Sequence, residues 1–287
     1  MKDISFGQVY PVQSPVHRMD ARTKLIITIA YVVMLFFASS FIVFGIIAFA
    51  LLLVIFASRV PLLKVLRSIR FIIFLLIFTF IITVLLNKGM GAEAEIATYG
   101  YYLSFGPFTI CGTGLLNAGK LSTRLILIVV GPTMLTLTTT PMELTEAIAY
   151  LLAPLKLLRV PVHEFAMIMS LALRLIPTIM EETDKIMNAQ KARGASFDHG
   201  NIFKRAAALI PVLVPLFVNS LKRSEDISDA MESRCYRGAK GRTKMKKLRY
   251  RVSDIFAYIV VAVFLFFILL TAYNWWNWAW VSMITFV

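Results

Sequence analysis

Two arginines 41 residues apart, Arg193 and Arg234, carry the most specific spacing in this 287-residue chain. The segment EETDKIMNAQKARGA (181–195) aligns on KRSEDISDAMESRCY (222–236) at that offset, so that Asp184 matches Glu225, Ile186 matches Ile227, Ala189 matches Ala230 and Arg193 matches Arg234. Each copy follows a proline-interrupted apolar stretch, which predicts two similar helices that each end in a charged turn. Gly194 suits a helix C-terminus, and a basic residue there complements the helix dipole. An arginine held at a helix end offers five donors in a planar fork to a partner carboxylate. On residue types alone, the two arginines are either docking groups or solvated helix-end charges.

Other chemistry is missing from the sequence. There is no phosphate-binding loop of the Gly-x-x-x-x-Gly-Lys-Ser/Thr kind, no His-Glu-x-x-His pattern and no Gly-x-Ser-x-Gly nucleophile turn. The three histidines, His17, His163 and His199, are too widely spaced in sequence to suggest a metal cluster. The acid pairs Glu181–Glu182 and Glu225–Asp226 read as helix-surface charge rather than a convergent site. The two cysteines, Cys111 and Cys235, imply no disulfide framework. Nothing in the chain looks built to hydrolyse a fuel or to hold a substrate by itself.

The elements that must position the arginines are membrane helices. Composition is 59% hydrophobic and 16% charged, far from the balance of a soluble domain. Mean hydropathy is +0.76. No charge interrupts the 34 residues between Lys24 and Arg59, or the 33 from Asp254 to the end. The first stretch is too long for one helix, and Ser39 and Ser40 near its middle predict a hairpin of spans 25–40 and 41–58. Further spans are predicted at 71–86, from about Leu115 or Leu121 to Thr139, and at 255–273. The run YNWWNWAW (273–280) suits an interfacial aromatic belt. Four of these five spans lack the ionisable group that a proton- or ion-coupled carrier needs near the midplane.

Charge gives the orientation. Four basic residues precede the first span, four lie in the 59–70 loop and one lies in the glycine-rich 87–114 loop, so the first two segments are expected inside. Nineteen of the 30 basic residues fall in 142–254, which then lies on the cytoplasmic side. The expected organisation is a four-span membrane domain (1–141), a cytoplasmic coupling region with two long helices (142–254) and a final transmembrane helix (255–287). The fold class is all-α integral membrane protein with about five transmembrane helices, in a plasma membrane, N-terminus in and C-terminus out. The N-terminal segment is expected to be uncleaved.

Two apolar windows inside the middle region, 160–180 and 206–221, also read as extra spans. Glu164, Arg174 and Pro177 in or beside the first, and Pro211 and Pro215 in the second, favour helices lying near the membrane surface or against the bundle. PLKLLRVP (154–161) reads as a short amphipathic helix. Met167, Met169, Met180 and Met187 are either core or an adaptable contact surface. The acid-free basic segment 237–251 suits anionic lipid; no nucleic-acid recognition fold accompanies it.

These pieces together resemble the transmembrane coupling (T) component of energy-coupling factor transporters, the family that includes the cobalt transporter membrane subunit. The resemblance runs through HRMDARTKL (17–25), PMELTEAI (141–148), PLKLLRVP (154–161) and LALRLIPTI (171–179). It is strongest at AQKARGA (189–195) and DAMESRCYRGAKGRT (229–243). It implies a non-enzymatic subunit of an ATP-driven importer for a vitamin or micronutrient. The implied partners are two cytosolic ATP-binding subunits and one small substrate-capturing membrane subunit, possibly interchangeable. ATP would be bound by the partners, and no cofactor by this chain. By resemblance, the ATPase-docking residues are Ala192, Arg193 and Gly194 in the first copy and Ser233, Arg234 and Cys235 in the second. Arg237 is a further candidate for the second contact. The second copy departs from Ala-Arg-Gly at both flanking residues but keeps its arginine. A self-contained secondary carrier is the alternative.

Overall fold

A computed structural model describes residues 10–272 apart from 11, 13, 39, 71, 87–100, 106–107, 196, 198–201 and 239–249. The aromatic run at 273–280, His199 and most of the basic 237–251 segment therefore lie outside the described residues. The chain divides into two compact units, one within Thr145–Lys247 and the other drawn from Gly7–Leu144 and Leu248–Val287.

The second of these units begins with α1 (Ala21–Phe37) and α2 (Phe41–Ser58), which end and begin on either side of the break expected near Ser39 and Ser40; Ser39 itself lies outside the described residues. Each helix starts on a side-chain cap. The Asp20 carboxylate accepts from the Arg22 N–H at 3.0 Å, and the Ser40 hydroxyl accepts from the Ile42 N–H at 3.4 Å. The basic 59–70 segment, expected as a loop, holds α3 (Leu62–Arg70), which buries Val65 and exposes Leu63 and Leu66. Then come α4 (Ile73–Leu86) and an antiparallel hairpin of β1 (Tyr101–Phe105) and β2 (Phe108–Cys111). The hairpin is an addition to the all-α expectation, in a segment whose glycines gave no strand alternation.

Helix α5 (Gly112–Thr138) is the centre of this unit. Its Leu127 packs with Met34 and Leu35 of α1, Phe44 and Ile47 of α2 and Ile268 of α9 (Val252–Ala272). Its Val130, Met134 and Leu137 form a second cluster with Ile55, Val60 and Val65. The helix tolerates its threonines because Thr133, Thr136 and Thr138 donate to the carbonyls of Val129, Pro132 and Met134, four residues back. Outward-facing Phe74, Ile77, Phe78 and Ile81 of α4 are about half exposed or more, as lipid-facing residues are.

A buried polar knot ties the first helix to the last. Asp254 is wholly buried; its carboxylate accepts from the Asp20 N–H at 3.2 Å and from the Arg251 N–H at 2.7 Å. Lys24, 6% exposed, donates to the carbonyls of Thr138 (2.8 Å) and His17 (3.2 Å). Burial pushes the His17 imidazole below its ordinary value, and the Lys24 ammonium adds to the effect. The ring is thus neutral at pH 7, 2.7 Å from the Ser14 hydroxyl. HRMDARTKL, which carried part of the resemblance, is therefore the strand of chain that seals the start of α1 against the ends of α5 and α9.

Pro141, read from sequence as the end of a hydrophobic stretch, begins α6 (Pro141–Leu151). It sits at the first helical position, where its missing N–H costs nothing, and the Thr140 hydroxyl accepts from the Glu143 N–H at 3.3 Å. In the Thr145–Lys247 unit, PLKLLRVP forms a 3-10 turn (Ala153–Leu158) rather than an amphipathic α-helix. Two long helices follow, α7 (Val162–Ala192) with Pro177 inside and α8 (Ile202–Ser233) with Pro211 and Pro215 inside.

Among the described residues five helices, α2, α5, α7, α8 and α9, are long and apolar enough to cross a membrane. The number equals the expected count but the membership differs. Helices α1 and α4 are 17 and 14 residues long, whereas α7 and α8 run to 31 and 32.

Candidate functional site

Each of the two long helices runs unbroken to its predicted arginine. Helix α7 ends at Ala192 with Arg193 as its C-cap, and α8 ends at Ser233 with Arg234 next. The C-terminal turns then close by the same pair of backbone bonds. In the first, the Gly194 N–H donates to the Lys191 carbonyl at 3.0 Å and the Ala195 N–H to the Gln190 carbonyl at 3.0 Å. In the second, the Cys235 N–H donates to Glu232 at 2.8 Å and the Tyr236 N–H to Met231 at 3.0 Å. Every donor and acceptor in the second set is displaced by 41 residues from its counterpart in the first. This is the Schellman closure, which places the residue after the cap in the left-handed region.

Gly194 takes φ +89° and Cys235 takes φ +55°. The cysteine thus adopts the conformation for which the first copy uses glycine, despite its β-carbon. Arg234, and not Arg237, is the residue in the register of Arg193. Ala192, Arg193, Gly194, Ser233, Arg234, Cys235 and Arg237 are all exposed. The guanidinium groups of Arg193 and Arg234 are therefore presented on ordered helix ends, beside the negative pole of each helix dipole. Such an end can bind a carboxylate-bearing partner by bidentate hydrogen bonds.

Upstream of the tips, the apolar surface of both helices is open. Phe165, Ile168 and Met169 on α7, and Phe203, Ile210, Leu213 and Phe217 on α8, are exposed, whereas Met167, Met180 and Met187 are half-buried. A polar contact that sequence reasoning passed over joins the two helices. Glu182 of α7 accepts from the Asn219 side-chain amide of α8 and lies 3.6 Å from the Arg223 guanidinium. The signal was available in the alignment, where Glu181 and Glu182 stand opposite Lys222 and Arg223.

The family described as cobalt transport protein matches residues 12–245, a range that includes both arginine tips. Three relatives named energy-coupling factor transporter transmembrane protein EcfT align along almost their whole lengths. That of Thermosediminibacter oceani is 42% identical over 263 residues, 92% of this chain and 96% of the relative. That of Ruminiclostridium cellulolyticum is 40% identical over 273 residues, covering 95% and 98%. That of Bacillus subtilis is 40% identical over 271 residues, covering 93% and 99%. The chain belongs to the energy-coupling factor transporter T-component family. A T component is a multi-pass membrane subunit of a transporter, and the apolar helices described above are what that role requires. The family membership also accounts for the lack of catalytic motifs, because the relatives are named as transmembrane components rather than as enzymes.

Proposed function

We propose that this T component couples ATP hydrolysis by two cytosolic ATPase subunits to reorientation of a small substrate-capturing membrane subunit, for uptake of a vitamin or micronutrient. The matched closure of two arginine-ended helices is the observation that carries this reading. Two equivalent tips suit two equivalent partners, and an exposed arginine fork suits an acidic groove. Arg193 with Ala192 and Gly194 would dock in one ATPase, and Arg234 with Ser233 and Cys235 in the other. ATP belongs to those partners, and this chain supplies rigid elements with fixed ends that transmit their movement. The capturing subunit would sit against the open apolar surface of α7 and α8, and would be interchangeable if the T component is shared.

In this reading 142–254 faces the cytoplasm, the N-terminus lies inside, the C-terminus lies outside and the basic 237–251 segment rests on anionic lipid. The plasma membrane of a bacterial cell is the setting. The lengths of α7 and α8 are the one observation that favours a self-contained carrier instead. Affinity isolation of the intact complex tests both readings. Replacing Arg193 and Arg234 by Ala should release the two ATPase subunits while the T component remains folded. Full retention with undiminished ATP-driven uptake would overturn the assignment, and transport by the purified chain alone in liposomes would establish the carrier.

A further inference from the structure

The contact between α7 and α8 has a property that an incidental ion pair lacks. Glu182 and Arg223 are equivalent residues of the repeat, 41 positions apart, and carry opposite charges. Each stands 11 residues before its own arginine tip, Arg193 or Arg234, which on a continuous helix is about 16 Å. The segments 182–192 and 223–233 are helical throughout and contain neither proline nor glycine. The helix-interior prolines Pro177, Pro211 and Pro215 all lie on the other side of the contact. Among the described residues of α7 and α8 only Val162 and Val212 are buried hydrophobics. The Glu182 carboxylate, by contrast, engages two residues one turn apart on α8, Asn219 and Arg223. Its side chain is 24% exposed and that of Arg223 is 33% exposed, so the pair is partly shielded from water.

We infer that Glu182 and Arg223, with Asn219, form a charge-reversed pivot from which two equal, unkinked arms reach the two arginine tips. They are positioning residues: they touch neither ATP nor substrate, and they make displacement of one tip a displacement of the other. The inference rests on the coupling role proposed above. Its physical content is that equal arms on one pivot convert symmetric closure of two partners into a symmetric rotation of the helix pair. Loss of the pivot leaves both tips docked yet free to move separately.

The test uses the full chain in its transporter complex in nanodiscs. Spin labels go at the equivalent exposed positions Asn188 and Asp229, carried on ketone-bearing non-natural residues so that Cys111 and Cys235 stay as they are. Glu182→Gln removes the charge and is the mild variant; Glu182→Arg opposes like charges; Glu182→Arg with Arg223→Glu restores the pair in reverse. The single variants should broaden the 188–229 distance distribution and lower substrate uptake per ATP hydrolysed about fivefold, the scale of one partly exposed ion pair. They should keep both ATPase subunits, and the reversed double variant should recover the narrow distribution and the uptake ratio. An unchanged distribution and ratio in both single variants, or no recovery in the reversed pair, overturns the pivot. Absence of ATPase subunits from the unmodified complex would instead overturn the coupling role, and the distance measurement on the chain alone would still report whether the pivot orders the arms.

Discussion

Asp254 shows how much one buried side chain does in this protein. It is 0% exposed, and its two carboxylate oxygens accept one backbone N–H from the start of α1 and one from the start of α9. Both bonds are charge-assisted, so Asp254→Ala should cost about 3 kcal/mol and strand the buried Asp20 N–H and the part-buried Arg251 N–H. Thermal unfolding of the detergent-solubilised chain should show the loss, with Asp254→Asn intermediate because it keeps one acceptor. An unshifted alanine variant would mean that other contacts hold α1 to α9. None of this was legible in the sequence: Asp20 and Asp254 are 234 residues apart, and Asp254 looked like a charge marking the edge of a span. Gly131 is a second such residue. The Tyr31 ring lies where a side chain at 131 would be, with its hydroxyl donating to the Leu127 carbonyl at 2.8 Å. Gly131→Ala should push α1 from α5 and cost about 2 kcal/mol in the same assay, as overpacking does. A wild-type melting curve would mean that the ring can move aside.

At the scale of elements, the repeat was legible and its closure was not. Alignment paired Arg193 with Arg234 and set Cys235 opposite Gly194, but gave no reason to expect the left-handed conformation at a cysteine, which is no turn signal. The positive φ and the paired hydrogen bonds supply that reason. A β-carbon in the left-handed region costs about 1 kcal/mol, so Cys235→Gly should tighten the second tip and Gly194→Ala should loosen the first. No atom lies within 4 Å of a β-carbon built at Gly194, so the cost there is backbone strain alone. Hydrogen exchange reads this directly. The amides of Gly194 and Ala195 should exchange about fivefold faster in Gly194→Ala, and those of Cys235 and Tyr236 about fivefold slower in Cys235→Gly. Equal exchange in variant and parent would mean the turns are not closed as described. Hydrophobic runs located α2, α5 and α9 to within a few residues, because apolar length is a direct physical requirement of a span. The same criterion is blind to α3 and the hairpin, whose formation depends on neighbours rather than on their own composition.

At the scale of the whole molecule, one chain carries two candidate docking points. If Arg193 and Arg234 engage two equivalent partners, they should matter equally. Truncating one member of a desolvated charge pair costs about 2 kcal/mol, so Arg193→Ala and Arg234→Ala should each weaken ATPase retention about 30-fold. Arg237 stands three residues past the repeat register, and its replacement by Ala should change retention less than about twofold, as for a rim charge. Titration of the purified ATPase pair onto nanodisc-embedded variants measures all three. A large loss from Arg237→Ala beside a small one from Arg234→Ala would move the second contact out of register, and the equal-arm geometry about Glu182 and Arg223 would fall with it. Equal losses at 193 and 234 would instead tie the two tips to one mechanical unit, since only a chain that repeats its pivot residue and its tip at the same spacing presents two partners with the same lever.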